Sequence, residues 1–190
     1  MKEFLWHGRG GQGAFTAARL LGAAYALSED GHYALAFPSF GPERRGAPMR
    51  AFTKLDTKPI GDRSEVGKAD CSIFLDDTLF SEAAFHELKD GGFILLNTKH
   101  EAADPRVISI DADGIAEALL GRPITNTVML GALSALEGGI TLSDVETAIR
   151  TSMPEKLQEK NMKTAEAAAA RVKKLLSSRK ESGKREGAAQ

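Results

Sequence analysis

The strongest constraint on the fold lies at the N-terminus, where a strand pattern, a glycine-rich turn and a helix pattern follow one another. Residues 3–7 form a short strand pattern, and residues 14–27 carry the broad apolar face typical of a helix. The turn between them has the spacing Gly-x-Gly-x-x-Gly, written out as Gly8-Arg9-Gly10-Gly11-Gln12-Gly13. Glycine permits backbone angles that side chains forbid and lets a ligand approach the main chain. This junction predicts the first unit of an α/β domain, with a turn that could bind an anion at the start of a helix.

The rest of the chain continues the alternation of strand and helix patterns. Strand patterns follow at residues 32–37, 49–55, 71–75, 93–97 and 107–110, and helix patterns at 79–88, 113–120, 126–136 and 161–176. Such alternation favours a three-layer, Rossmann-like α/β domain with a mostly parallel sheet and helices on both faces. We expect the sheet to be mixed, because residues 49–55 could pair antiparallel.

Length and composition indicate one domain. The chain has 190 residues, 42% of them hydrophobic, which suits a single core. We expect residues 1–176 to form this domain and residues 177–190 to form a disordered polar tail, because the tail has almost no apolar side chain to bury.

Charge and cysteine content exclude several classes of function. The 25 basic and 26 acidic residues nearly cancel, so the chain has no global reason to bind nucleic acid or an anionic membrane. The single cysteine, Cys71, cannot form an intramolecular disulfide or ligate an iron–sulfur cluster. We find neither a signal-peptide core nor an apolar run of membrane-spanning length, and we expect a cytoplasmic protein.

Asp76 and Asp77 are interpreted as a helix N-cap and first-turn charge.

The glycine turn has three possible roles. Dinucleotide binding would require an acidic side chain at the end of the second strand, to hold the ribose hydroxyls. The chain has Phe37-Pro38-Ser39 there, while Glu29 and Asp30 precede that strand. The turn could instead only pack helix against sheet, or it could contact an anion or a partner subunit. A free-standing, Rossmann-type nucleotide-binding oxidoreductase remains the alternative.

A second loop, residues 37–49, is rich in proline and arginine. Its three prolines flank the triplet Glu43-Arg44-Arg45, and rigid loops lose less entropy on binding. Arginine offers a planar fork of donors for carboxylates and phosphates, and Phe37 and Phe40 could anchor the loop. Alternatively, Glu43 could pair with an arginine on a merely solvated loop. Both loops follow strands, so a parallel sheet would bring them to one edge.

The two loops together resemble a known family. The order Gly-Arg-Gly-Gly-Gln-Gly, helix, then Phe-Gly-Pro-Glu-Arg-Arg-Gly-Ala-Pro about thirty residues later is similar to the gamma subunit of 2-oxoacid:ferredoxin oxidoreductases. The resemblance covers roughly residues 1–175, includes the segment 126–132, and is nearer to the pyruvate or 2-oxoisovalerate type. In single-chain pyruvate:ferredoxin oxidoreductases the same unit is an internal domain.

The resemblance implies an accessory subunit without a complete active site. The implied complex converts a 2-oxoacid to an acyl-coenzyme A with thiamine diphosphate, magnesium and iron–sulfur clusters, none of them bound by this chain alone. The implied partners are alpha, beta and delta-type subunits, with ferredoxin reached through the complex. No catalytic or metal-binding residue is expected here. The residues expected to contact coenzyme A or only partner subunits are Arg9, Gly10, Gly11, Gln12, Gly13, Phe40, Glu43, Arg44 and Arg45.

Overall fold

A mixed β-sheet forms the centre of the molecule. The computed structural model describes residues 1–39 and 45–187, with side chains as far as Arg179. In this part of the chain the sheet has six strands. They are β1 (Lys2–Arg9), β2 (Tyr33–Pro38), β3 (Pro48–Asp56), β4 (Ala69–Phe74), β5 (Leu88–Asn97) and β6 (Val107–Ile110).

The spatial order of the strands is β2-β3-β1-β4-β5-β6. Strands β1, β4, β5 and β6 run parallel, whereas β3 runs antiparallel to both β1 and β2. The prediction of a mixed, mostly parallel sheet is therefore confirmed. The antiparallel β3 separates β1 from β2, and its register places Pro48, where β3 begins, opposite Arg9, where β1 ends.

Five α-helices belong to the described part of the chain. They are α1 (Ala14–Ser28), α2 (Ala112–Leu120), α3 (Asn126–Ser134), α4 (Leu142–Ser152) and α5 (Glu155–Gly187). The single helix predicted over residues 79–88 is wrong. Two 3₁₀ helices, Asp77–Leu79 and Glu82–Glu87, occupy this stretch, and β5 begins at Leu88. Tertiary packing breaks the helix, because Phe80 contacts the rings of both Phe74 and Phe85 edge-on from an extended backbone.

The two faces of the sheet are covered differently. All five α-helices contribute to one core on the first face, which includes Phe4 and Trp6 of β1. On the second face, the 3₁₀ helix Glu82–Glu87 and the segment around Val66 cover two smaller clusters. The α/β class is confirmed, and the second outer layer consists of short 3₁₀ helices and a loop.

Helix α5 is longer than the sequence predicted. It continues to Gly187, so the domain boundary predicted at residue 176 lies inside a helix. Arg179 donates a hydrogen bond from Nη2 to the carbonyl oxygen of Val107 (3.3 Å), which ties this stretch to β6. Lysine, arginine and glutamate are good helix formers, so the helix continues past its last apolar residues at little cost. Residues 188–190 lie outside the described chain.

None of the helices in the described part of the chain combines the length and apolar character needed to cross a bilayer.

Candidate functional site

The glycine turn connects β1 to α1 at the carboxyl edge of the parallel strands. The Gln12 amide donates to the carbonyl of Arg9 (2.9 Å), and the Arg9 amide donates to Gln12 Oε1 (2.6 Å), so the turn is closed on itself. Gly11 and Gly13 have positive φ angles of 100° and 82°, which favour glycine. No side chain caps the start of α1, and its first turn holds no acidic residue. The positive end of this helix therefore faces the edge of the sheet.

The described end of the arginine loop lies directly against the glycine turn. Gly10 and Arg45 form a β-bridge, in which the Gly10 amide donates to Ala47 O (2.8 Å) and the Gly46 amide donates to Gly10 O (2.9 Å). The two loops meet at one edge of the sheet, as the sequence predicted. Three of the predicted contact residues, Phe40, Glu43 and Arg44, lie outside the described residues.

Arg9 connects these two loops to the end of β4. Its Nε donates to Asp76 Oδ2 (3.0 Å), Nη1 to the carbonyl of Gly46 (3.2 Å) and Nη2 to Thr78 Oγ1 (2.8 Å). Gln12 Nε2 donates to the same Asp76 oxygen (3.0 Å). We call residues 8–13 and 45–47, together with Asp76 and Thr78, the rim. Within the rim, Arg9 and Gln12 are engaged by neighbouring groups of the same chain.

Asp76 supplies the negative charge of the rim. Burial raises the pKa of this carboxyl, but hydrogen bonds from Thr78 and Gln12 and the charge of Arg9 outweigh burial and leave the pKa below its ordinary value. The sequence interpretation of Asp76 as an N-cap is confirmed, because its side chain accepts from the Thr78 amide. Its contacts with Arg9 and Gln12 were missed. The sequence holds no signal for these contacts, because only the strand order places the end of β4 beside the end of β1.

Arg45 differs from Arg9 in its surroundings. Its side chain is exposed, and none of the hydrogen bonds or ion pairs of the described residues involves its guanidinium group. Asp76 neutralises the charge of Arg9. The positive charge of Arg45 instead faces solvent, with no counterion among the described residues. That chemistry suits a phosphate or a carboxylate.

A polar cavity of about 150 Å³ lies farther along the same edge, lined by Asp77, Asn97, Thr98, Lys99, His100, Asp111 and Asp113. Asn97 is buried and fixed, because it donates to the carbonyl of Leu75 and accepts from the amide of Ala112. Burial raises the pKa of Asp113.

Among the described side chains, no group of three or more His, Cys, Asp or Glu residues could hold a metal ion. Cys71 is fully buried in β4, and burial raises the pKa of its thiol.

The fold and the rim together define a Rossmann-like α/β domain in which an antiparallel strand is inserted beside β1. The family model for pyruvate ferredoxin/flavodoxin oxidoreductase matches residues 3–171, so the chain belongs to this family.

Relatives of nearly the same length have related names. Pyruvate synthase subunit PorC of Methanothermobacter thermautotrophicus is 45% identical over 178 residues, covering 92% of this chain and 98% of the relative. The pyruvate/ketoisovalerate oxidoreductases common subunit gamma of Thermococcus kodakarensis is 43% identical, covering 88% of this chain and 95% of the relative.

Solved structures share the fold. The crystal structure of pyruvate oxidoreductase subunit PORC from Thermotoga maritima superposes with a TM-score of 0.76 at 34% identity, covering 89% of this chain and 95% of that one. A 2-oxoglutarate:ferredoxin oxidoreductase from Magnetococcus marinus has the same fold within a longer chain, of which the match covers 31%, at 17% identity and a TM-score of 0.73.

Proposed function

We propose that this chain is the gamma subunit of a ferredoxin oxidoreductase that oxidatively decarboxylates pyruvate or a related 2-oxoacid to an acyl-coenzyme A. The chain contributes a docking surface, formed by the rim, and no complete active site. The proposal is supported by relatives of nearly the same length that are named as subunits, and by the exposed cation of Arg45 beside the open start of α1.

The remaining parts of the reaction belong to other subunits in this proposal. Alpha, beta and delta-type subunits carry thiamine diphosphate, magnesium and the iron–sulfur clusters, and the electrons pass to ferredoxin. The assignment is chemically consistent with this sequence, because one cysteine cannot ligate a cluster that needs several thiolates. The complex works in the cytoplasm, without binding nucleic acid or a membrane.

The rim has two candidate occupants, coenzyme A and a partner subunit. Coenzyme A carries phosphates, which arginine and the amides of a helix start both bind. A carboxylate on a partner would satisfy the same groups.

A free-standing dinucleotide-binding enzyme is less well supported by the topology. In that class the second strand lies beside the first, and an acidic residue at its end binds the ribose. Here β3 occupies that position and runs in the opposite direction. Glu29 and Asp30 precede β2, at the edge away from the glycine turn.

The test uses the tagged chain coexpressed with its partner subunits. We expect the chain to copurify with thiamine- and cluster-carrying chains and to show no oxoacid oxidation alone. Within the complex, Arg45→Ala should raise the apparent KM for coenzyme A or the dissociation constant of the subunit by about tenfold, because a hydrogen bond to a charged group is lost. Steady-state kinetics and size-exclusion chromatography distinguish the two effects.

Arg63→Ala is the matched control, because Arg63 is also an exposed arginine and lies in the loop that precedes β4. We expect this variant to behave as the parent does in both assays. If Arg45→Ala and Arg63→Ala were indistinguishable, the rim would have no role in docking. Full activity of the isolated chain would contradict the whole assignment.

A further inference from the structure

Four hydrogen bonds of the rim converge on a single carboxylate. Asp76 Oδ2 accepts from Arg9 Nε and from Gln12 Nε2, while Oδ1 accepts from both the amide and the hydroxyl of Thr78. The side chain is only 15% exposed, so these charge-assisted bonds are partly shielded from water. Asp76 thereby fixes the direction of both polar side chains of the glycine turn.

Arg9 extends this hydrogen-bond network to Gly46, in the described end of the arginine loop. With Nε held by Asp76 and Nη2 held by Thr78, Nη1 is directed to the carbonyl of Gly46. The Gly46 amide in turn donates to Gly10 in the glycine turn. Between the described residues, the contact of the two loops combines two backbone hydrogen bonds with one guanidinium bridge, and the bridge depends on Asp76.

We propose that Asp76 is a positioning residue that aligns the glycine turn with residues 45–47, the described end of the arginine loop. Arg9 then fixes the geometry of the rim, and Arg45 attracts the anionic group. The inference deepens the proposed function and rests on it for its effect on docking. Arg9 is the weaker anion site of the two, because three of its N–H groups are already donated and Asp76 neutralises its charge. A rigid presentation of Arg45 lowers the entropy cost of binding.

The first experiment measures amide hydrogen exchange in the full chain with Asp76→Asn. The substituted amide keeps the volume of the carboxyl but presents either a donor or a weaker acceptor to Arg9 and Gln12. We expect exchange of the Gly10 and Gly46 amides to become at least about tenfold faster, because bonds to a charged group are lost. Amides of the central strand β4 should keep their protection, which distinguishes loss of alignment from global destabilisation.

The matched control is Asp77→Asn, which removes the same charge from the adjacent, exposed residue. The Asp77 side chain accepts no hydrogen bond from the other described residues, so we expect parental exchange at Gly10 and Gly46. If Asp76→Asn failed to fold, Thr78→Val would replace it. That variant removes only the hydroxyl shared by Arg9 and Asp76 and should accelerate exchange by about threefold.

The second experiment places Asp76→Asn in the assembled complex. We expect the KM for coenzyme A or the subunit dissociation constant to rise while kcat at saturation stays unchanged, because a positioning residue of the docking surface affects binding and not the chemical step. Parental exchange at Gly10 and Gly46 would overturn the positioning role, whatever the complex does. Faster exchange with unchanged assembly and KM would support the positioning role and overturn the rim as a docking surface.

Discussion

At the scale of single residues, Gly13 shows how tightly the glycine turn is built into the domain. Its φ angle is 82°, and a Cβ atom placed there would lie 2.7 Å from Asn126 Nδ2 at the start of α3. Asn126 is buried, and its own Oδ1 accepts from the Thr127 amide. The position therefore requires glycine for two reasons, a left-handed backbone and a close neighbour.

We predict that Gly13→Ala destabilises the chain by about 2–4 kcal/mol. About 1–2 kcal/mol comes from the left-handed backbone of a residue with a Cβ, and the remainder from displacement of Asn126. Urea unfolding measures the change. Gly31→Ala is the control, because Gly31 has a φ of 86° and open space around its Cβ position. Equal losses in the two variants would mean that the contact with Asn126 contributes nothing.

The contact between Gly13 and Asn126 shows what could be predicted at this scale. The spacing of the glycines is visible in the sequence, and so is the need for unusual backbone angles. Asn126, the neighbour that leaves no room for a side chain at position 13, lies far along the chain and is brought there by the packing of α1 against α3. The same limit applies to Arg9, because its counterion Asp76 is also distant in sequence.

At the scale of elements, a buried lysine holds the loop 57–68 over the second face of the sheet. Lys54 of β3 is fully buried, and its Nζ lies 2.6 Å from Asp62 Oδ2 and 3.5 Å from Glu3 Oε1. The hydrogen bond from Lys54, followed by those from Ser64, lowers the pKa of Asp62 well below its ordinary range. The loop thereby covers Leu5 and Phe52 with Val66.

This ion pair predicts a specific pH dependence. The carboxyl is protonated more readily in the unfolded chain than in the folded one, so its contribution to stability is complete above the unfolded-state pKa of about 3.9. The contribution is lost as the pH falls toward the lower folded-state pKa. We expect the free energy of unfolding to fall less between pH 5 and pH 3 in Asp62→Asn than in the parent. Equal acid slopes by urea unfolding would contradict a stabilising pair.

At the scale of the whole molecule, β6 and β2 form the two edges of the sheet. Strand β6 has only four residues, and Arg179 donates to its Val107 carbonyl from the end of α5. Strand β2 has six residues without a charged side chain. The end of α5 thus makes a contact with the fold beyond the boundary that composition predicted, because Arg179 donates to a carbonyl of an edge strand.

Two truncations test this contribution. Removing residues 180–190 should leave the free energy of unfolding unchanged. Removing residues 177–190 should lower it by about 1 kcal/mol, because the hydrogen bond from Arg179 to Val107 is lost. Chemical denaturation of the two chains measures the difference. Identical midpoints for both truncations and the full chain would mean that residues 177–190 contribute nothing to the stability of the domain.

The sequence by itself determined the α/β class, the mixed sheet, most strands, and the meeting of the two loops at one edge. These features depend on local patterns and on the rule that parallel strands end at a common edge. Only the tertiary structure decided that β3 separates β1 from β2, that residues 79–88 form no single helix, and that Asp76 neutralises Arg9. The strand order and the pair of Arg9 with Asp76 depend on groups distant in sequence. The break in residues 79–88 depends on the packing of Phe80 and Phe85 on the sheet, which overrides local helix preference.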